Sequence, residues 1–134
     1  MDSVSKSTIV LIEDNKQIKD IIEELLSDHG YEVKSFGDGV AACDYIRKNK
    51  PTAVISDYVM PSISGIEIAK NVHKWHGDIP LVILTGLGLR DIRKITIPSF
   101  VTVMLKPFKD DEFLQAIAEL LTKRPLDQAR EIAS

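Results

Sequence analysis

The chain has 134 residues, of which 44% are hydrophobic and 28% are charged, as is typical of one soluble globular domain with a substantial core. Its formal net charge of -3 shows no basic excess, which argues against direct binding of nucleic acid by this chain. A single cysteine excludes an internal disulfide, and no apolar run is long enough for a signal peptide or a membrane span, so a cytoplasmic location away from membranes is expected.

Apolar periodicity alternates between strand and helix along the chain. Residues 8–12 (TIVLI) are β-branched and apolar, which favours a buried strand, and residues 15–28 then place apolar side chains at helical spacing. The predicted strands are residues 8–12, 31–36, 53–57, 81–85 and 100–105. The predicted helices are residues 15–28, residues 38–50, a segment after residue 65, residues 86–98 and a last segment from about residue 110.

Three of the predicted helices have an apolar stripe that is expected to be buried. The stripe of the first helix consists of Ile18, Ile21, Ile22, Leu25 and Leu26. The stripes of the third and last helices consist of Ile66, Ala69, Val72, Trp75, Phe113, Ile117, Leu120 and Leu121. Residues 86–98 favour a short or mobile helix, because they include two glycines and several β-branched residues.

This alternation predicts the fold class. Strands separated by helices of this length form right-handed crossovers, so the chain is expected to be an α/β domain with a doubly wound, five-stranded parallel sheet covered by helices on both faces. The domain should cover residues 1–123. Residues 124–134 are polar and contain Pro125, which indicates a carboxyl-terminal tail or the start of a linker.

Charged and hydroxyl side chains follow four of the five predicted strands. Glu13 and Asp14 follow the first strand, Asp57 ends the third, Thr85 ends the fourth and Lys106 follows the fifth. The carboxyl ends of parallel strands share one edge, where ligands bind in open α/β sheets. Two carboxylates about 4 Å apart repel by roughly 4 kcal/mol at an effective dielectric of about 20, so a cation should lie between them. Oxygen ligands without a cluster of Cys or His favour Mg²⁺.

The same group of side chains is suited to phosphoryl transfer. Asp57 can attack phosphorus and hold the resulting acyl phosphate, while the metal, Thr85 and Lys106 meet the charge on the transferred oxygens. Each residue has a structural alternative when it is taken singly. Glu13 and Asp14 are also suited to solvating or capping the first helix, and Asp57 to an Asx turn before Pro61. Thr85, before a glycine, is also suited to a turn, and Lys106, before a proline, to a solvated charge. Their joint placement at successive strand ends favours a site.

Four motifs resemble the receiver domain of two-component response regulators, over about residues 8–122. The resemblance is carried by IEDN at residues 12–15, SDYVMPSISG at 56–65, ILTG at 83–86 and LKPF at 105–108. It implies a flavodoxin-like (βα)5 receiver with strand order 2-1-3-4-5. It also implies a phosphorylation-controlled signalling domain of a phosphorelay, in which Asp57 accepts a phosphoryl group from a phosphohistidine.

The resemblance implies a role for each residue of the site. Mg²⁺ would be held by Asp14, Asp57 and the backbone carbonyl of Val59, with Glu13 acting through water. Thr85 and Lys106 would contact the phosphoryl oxygens, and the peptide bond before Pro107 is usually cis in the family. The implied partners are a histidine kinase or histidine phosphotransfer protein, an output domain or target protein, and a second copy in a phosphorylation-dependent homodimer. The domain would be no enzyme but a phosphoacceptor switch that assists its own phosphorylation and dephosphorylation.

The chain departs from the family pattern in the region that relays the signal. The family commonly has an aromatic switch residue three places before the lysine, where this chain has Val103. Phe100 shares the strand parity of Lys106 and Val103 does not, so Phe100 would need a bulge to take that position. The switch is expected at Thr85 and Val103, with reordering of residues 86–98 near the fourth helix and fifth strand. Val59 and Leu87 are apolar beside the site, which predicts slow loss of phosphate.

Other functions fit the sequence less well. A nucleotide or flavin binder needs an amide-rich loop after the first strand, where EDNKQ at residues 13–17 would repel phosphate. An aspartyl phosphatase usually has a second acid at the position of Val59. A receiver-like adaptor that takes no phosphate is the remaining alternative. The histidines, His29, His73 and His76, lack ligand spacing and are expected to be surface or capping groups.

Overall fold

The computed structural model describes residues 7–92 and 94–122, and the predicted tail at residues 124–134 lies outside them. Within the described residues, strands and helices alternate in five pairs. The strands are β1 (Thr8–Ile12), β2 (Glu32–Phe36), β3 (Ala53–Asp57), β4 (Leu81–Thr85) and β5 (Val101–Leu105). The helices are α1 (Lys16–Asp28), α2 (Gly39–Lys48), α3 (Gly65–His76), α4 (Leu89–Ile92) and α5 (Asp110–Thr122).

The five strands form one parallel sheet in the order β2-β1-β3-β4-β5, which confirms the predicted fold class and strand order. Every residue of β3 and β4 is buried, as expected for central strands covered by helices on both faces. The register pairs Asp57 with Leu84 and Thr85 with Leu105. The ends of β3, β4 and β5 therefore meet at one edge of the sheet.

The two faces of the sheet carry separate hydrophobic clusters, because alternate side chains of each strand point to opposite faces. On one face, β-strand side chains pack with α2 and α3; the cluster includes Val10, Ile12, Ile46, Ile68, Val72, Ile83 and Val101. On the other face they pack with α1 and α5; that cluster includes Ile9, Leu11, Ile22, Leu26, Phe113 and Ile117. Each fully buried aliphatic side chain contributes roughly 1.5–3 kcal/mol by leaving water, so both faces stabilise the sheet edge that carries the polar residues.

Local capping explains where α1 and α3 begin. The side chain of Asn15 accepts a hydrogen bond from the backbone N–H of Ile18 at 3.0 Å, so Asn15 caps α1, and Glu13 and Asp14 do not. Ser64 caps α3 in a reciprocal pair with Glu67, a capping box. Because Asn15 caps α1, the structure does not support helix capping as the role of Glu13 and Asp14.

Two details of the helices differ from, or refine, what the sequence indicates. In α1, Ile22 and Leu26 are buried as expected, but Ile18 is 36% exposed and Ile21 is 63% exposed. The stripe predicted for this helix is wider than the surface that α1 packs against the sheet. The weak fourth helix is a single turn, α4, which confirms the expectation of a short element.

Within the described residues, no helix has the length and apolar character needed to cross a membrane.

The start of β5 is a correction. The sequence places Phe100 within the strand, whereas the structure begins β5 at Val101, where a turn bond joins the N–H of Val101 to the carbonyl of Pro98 at 3.0 Å. The parity argument is therefore wrong for Phe100, because alternation holds only inside a strand. Phe100 and Val103 pack against the same cluster, the one shared by α2 and α3, while the role of Val103 in the switch stays a prediction.

Candidate functional site

Backbone hydrogen bonds at the carboxyl edge of the sheet fix the positions of the site residues. The N–H of Tyr58, directly after Asp57, donates to the carbonyl of Leu84 at 2.9 Å, and the N–H of Lys106 donates to the carbonyl of Thr85 at 2.7 Å. The hydrogen-bond pattern of the sheet thus continues for one residue beyond the end of β3 and of β5. A rigid sheet presents the side chains that follow it, which is the arrangement a reactive group requires.

Three carboxylates converge at this edge. Glu13, Asp14 and Asp57 each offer an oxygen, and these oxygens lie within 4.8 Å of one another. Glu13 and Asp57 are buried, with 2% and 7% exposure, whereas Asp14 is exposed to water. An oxygen-only donor set that is open to water on one side fits Mg²⁺, which keeps several water ligands. The prediction that these three residues lie together is confirmed.

Lys106 lies against the two buried carboxylates. Its Nζ is 2.7 Å from Oδ1 of Asp57 and 3.4 Å from Oε1 of Glu13. The contact with Asp57 is close enough for an ion pair. The peptide bond between Lys106 and Pro107 is cis, as the resemblance implies.

The pKa values of Lys106 and Glu13 reflect this close packing. Burial lowers the pKa of Lys106, but the contact with Asp57 and the charges of Asp57 and Glu13 outweigh it, so the pKa lies above the ordinary lysine value. Burial is the largest cause that raises the pKa of Glu13, and the neighbouring Asp57 raises it further, against the lowering effect of the Asn15 N–H. Three carboxylates and one ammonium carry a formal charge of two minus when all are ionised. A divalent cation would neutralise that charge.

Thr85 is the last residue of β4, and 4% of its surface is exposed. It directly follows Leu84, which pairs with Asp57 across the sheet. Its Oγ1 accepts a hydrogen bond from the backbone N–H of Leu87 at 3.1 Å. A hydroxyl also has one proton to donate, which this accepting role leaves available. Thr85 therefore joins the site to the segment that follows β4.

The loop after Asp57 carries the other predicted features. The side chain of Val59 is 72% exposed and Met60 is buried, while the carbonyl of Val59 as a metal ligand stays a prediction. At the end of the loop, the N–H of Gly65 donates to the carbonyl of Tyr58 at 2.8 Å. A methyl group at Gly65 would collide with the carbonyl oxygen of Asp57, so glycine is required by this close approach.

Sequence reasoning missed an apolar groove beside the site. The groove has a volume of about 630 Å³. Its lining consists of Ile18, Ile21, Ile22, Gly86, Lys106, Pro107, Phe108 and Asp110. Helical spacing alone does not distinguish the exposed Ile18 and Ile21 from buried residues, so the periodicity carried no signal for this groove. Lys106, whose ammonium contacts Asp57, is one of the residues that line the groove.

The family model for the response regulator receiver domain matches residues 9–118. The chain belongs to this family, in agreement with the resemblance that its motifs show. Response regulator MprA from Mycobacterium sp. (strain KMS) is 30% identical over 121 residues, which cover 90% of this chain and 53% of that protein. MprA from Mycobacterium avium (strain 104) is 29% identical over 127 residues, covering 93% of this chain and 56% of that protein. The chain thus spans about half the length of the curated relatives it matches.

Solved structures show the same fold. The receiver domain of the sensor histidine kinase PA1611 from Pseudomonas aeruginosa PAO1, with a magnesium ion coordinated in its active site cleft, superposes with a TM-score of 0.78 at 22% identity, covering 89% of this chain and 100% of that one. A response regulator receiver protein from Sinorhizobium medicae WSM419 superposes with a TM-score of 0.79 at 21% identity, covering 89% of this chain and 97% of that one. At sequence identities of 21–22%, the structural similarity shows a shared fold and no more.

Proposed function

We propose that this domain is a magnesium-dependent phosphoacceptor switch in which Asp57 takes a phosphoryl group from a phosphohistidine. The observation that carries the proposal is the position of Asp57: a nearly buried carboxylate at a strand end, 2.7 Å from a lysine ammonium and within 4.8 Å of two further carboxylates. A carboxylate kept only for structure would not require such a concentration of negative charge. A group that must hold a divalent cation, whose charge then helps it to receive a phosphoryl anion, does.

In the proposed reaction, a carboxylate oxygen of Asp57 attacks the phosphorus of the donor. The new O–P bond forms as the N–P bond to the donor imidazole breaks, and the electron pair of that bond returns to the imidazole nitrogen. The ammonium of Lys106 and the hydroxyl of Thr85 hold the transferred oxygens by charge and by hydrogen bonding. The backbone of both residues is held by the pairing of β4 with β5 before the reaction, and the Thr85 side chain would turn to reach the phosphoryl oxygens.

The residues that would hold Mg²⁺ are Asp14, Asp57 and the carbonyl of Val59, with Glu13 acting through water. When bound there, the ion supplies positive charge for the phosphoryl oxygens and reduces the repulsion that Asp57 exerts on an approaching anion. The exposure of Asp14 leaves room for the water ligands that Mg²⁺ retains. The domain would thereby assist its own phosphorylation and dephosphorylation, and it would not act as an enzyme on a separate substrate.

The donor would be a histidine kinase or a histidine phosphotransfer protein that approaches over the apolar groove. Ile21 is 63% exposed and Ile18 is 36% exposed on the helix beside the site. Contacts with these side chains would bury apolar surface and bring the donor imidazole towards Asp57. Phosphorylation would then change the surface near α4 and β5, through Thr85 and Val103, for an output domain, a target protein or a second copy in a homodimer. A cytoplasmic setting suits this role.

Intact mass after incubation with a small phosphodonor tests the proposal. Wild type with Mg²⁺ should gain the mass of one phosphoryl group, and the gain should be lost in Asp57→Asn and when a chelator removes the metal. Circular dichroism of Asp57→Asn establishes that the variant is folded. A folded wild-type protein that gains no mass, while a known receiver domain does so under the same conditions, would favour the adaptor that takes no phosphate.

A further inference from the structure

One aromatic contact joins the segment after β4 to helix α3. The imidazole of His73 stacks on the ring of Phe100, with the ring centroids 3.9 Å apart and 5° between the ring planes. Within the described residues, Nδ1 of His73 is buried without a hydrogen-bond partner. Nδ1 of His73 therefore makes no polar contact with the described residues, and the stacked ring of Phe100 is the contact that joins His73 to the segment.

The segment after β4, of which residues 86–92 and 94–100 are described, is attached to the candidate site at its other end. The N–H of Leu87 donates to Oγ1 of Thr85 at 3.1 Å. Between the two attachments lies the single turn of α4, continued by a bond from the N–H of Lys94 to the carbonyl of Asp91 at 3.1 Å. Ile97, between the two attachments, packs against the cluster shared by α2 and α3, so in the described residues 86–92 and 94–100 the segment is held by side-chain contacts more than by helix.

Helix α3 itself begins beside Asp57. Its first residue, Gly65, donates its N–H to the carbonyl of Tyr58 at 2.8 Å. Its last turns carry His73 and Trp75, and Trp75 packs against the same cluster as Phe100 and Val103. The helix therefore contacts both the loop after the acceptor and the far end of the segment after β4.

We propose that the His73–Phe100 stack transmits movement of Thr85 to α3, so that residues 86–100 and α3 change together as one readout surface for a partner protein. This inference rests on the proposed function, which assigns a phosphoryl oxygen to the Thr85 hydroxyl. When that side chain turns towards the phosphoryl group, its contact with Leu87 changes. The far end of the segment leads directly into β5, whose Val101 pairs with Leu81, and the ring of Phe100 at that end contacts His73, so a displacement that reaches Phe100 passes to α3. The aliphatic Val103 offers no ring for the task.

Backbone and histidine-ring NMR spectra of the full chain test the inference without phosphate. Thr85→Val keeps the shape of the side chain and removes the acceptor of the Leu87 N–H. In an otherwise wild-type chain, it should shift the His73 ring protons and the amides of residues 71–76. With Phe100→Leu already present, the amide shifts of residues 71–76 should fall at least twofold. His73→Leu in place of Phe100→Leu should have the same effect, which guards against a folding defect in one variant.

A second aromatic pair provides the matched control. Phe36 and Tyr45 have ring centroids 5.5 Å apart and pack against the same cluster, but they lie outside residues 86–100. Phe36→Leu should leave the response of residues 71–76 to Thr85→Val at its wild-type size. Undiminished α3 shifts in Phe100→Leu, or the absence of any α3 shift on Thr85→Val alone, would overturn the inference.

Addition of Mg²⁺ and beryllofluoride, which imitates a phosphoryl group on a carboxylate, separates this inference from the proposed function. Shifts at residues 57 and 85 that reach α3 in wild type and are lost there in Phe100→Leu support both. Shifts at residues 57 and 85 that never reach α3 contradict the inference alone. An absence of shifts at residue 57 contradicts the proposed function, and the Thr85→Val spectra still decide whether the stack couples the segment to α3.

Discussion

Replacing Lys106 with methionine should destabilise the metal-free domain, because the ammonium of Lys106 lies against the two buried carboxylates of Glu13 and Asp57. The contacts of 2.7 Å to Asp57 and 3.4 Å to Glu13 are each worth roughly 5–6 kcal/mol at an effective dielectric of about 20, before desolvation is subtracted. Removing one partner of a buried ion pair costs about 3–5 kcal/mol. Since 28% of the Lys106 side chain is exposed, a loss of about 2–3 kcal/mol in the free energy of unfolding is expected.

Urea unfolding in a chelator and in Mg²⁺ measures this loss and its cause. A denaturant slope of about 1–3 kcal/mol per molar urea converts the expected loss of about 2–3 kcal/mol to a fall of about 0.7–3 M in the midpoint. At a concentration about tenfold above its dissociation constant, a bound ion stabilises the native state by about 1.4 kcal/mol. The gain from Mg²⁺ should be larger in Lys106→Met than in wild type, because the ion replaces the missing positive charge beside Asp57 and Glu13.

Lys16 provides the control. Its Nζ also lies close to a carboxylate, 2.9 Å from Asp20, but the two side chains are 82% and 55% exposed. Lys16→Met should leave the midpoint nearly unchanged, because exposed ion pairs are weak. Equal losses in the two variants, or a loss in Lys106→Met that is the same in chelator and in Mg²⁺, would refute the electrostatic reasoning.

Three further changes have defined outcomes. Gly65→Ala should lower the free energy of unfolding by about 1–3 kcal/mol and reduce phosphorylation, because the added methyl displaces the Asp57 carbonyl; an unchanged urea midpoint would contradict this. Ile21→Ser should slow phosphotransfer from a phosphohistidine protein several-fold and leave phosphorylation by a small donor unchanged, whereas serine at the exposed Val40 should affect neither rate. Val59→Asn should speed the loss of phosphate followed by intact mass, since a polar side chain there can position water; equal decay rates would argue against that role.

Much of the site was predictable because it lies at strand ends. Each parallel strand brings its following residue to the same edge, so the order of elements alone places Glu13, Asp14 and Asp57 together. The same reasoning places Lys106 opposite them, and the structure adds only the distances. The positions of these four residues could therefore be predicted from the sequence pattern of the strands and from their order in the sheet.

The features that sequence reasoning missed depend on how elements pack. Ile21 has the spacing of a core residue, yet α1 turns it towards solvent, and no periodicity distinguishes the two cases. The position of Phe100 depended on where β5 begins, and strand boundaries are the least certain part of a sequence pattern. The expectation that His73 is a surface or capping group was wrong, since its ring is half-buried against Phe100. His29 does cap the end of α1.

Borohydride reduction of the phosphorylated chain tests the central claim most directly, because it converts an aspartyl phosphate to homoserine while leaving unmodified carboxylates unchanged. Peptide sequencing by mass spectrometry then identifies the acceptor. The account predicts homoserine at position 57, formed only when the phosphodonor and Mg²⁺ are both present. Homoserine at Asp14 or at another carboxylate, with Asp57 unmodified, would contradict the claim that this strand end is the phosphoacceptor.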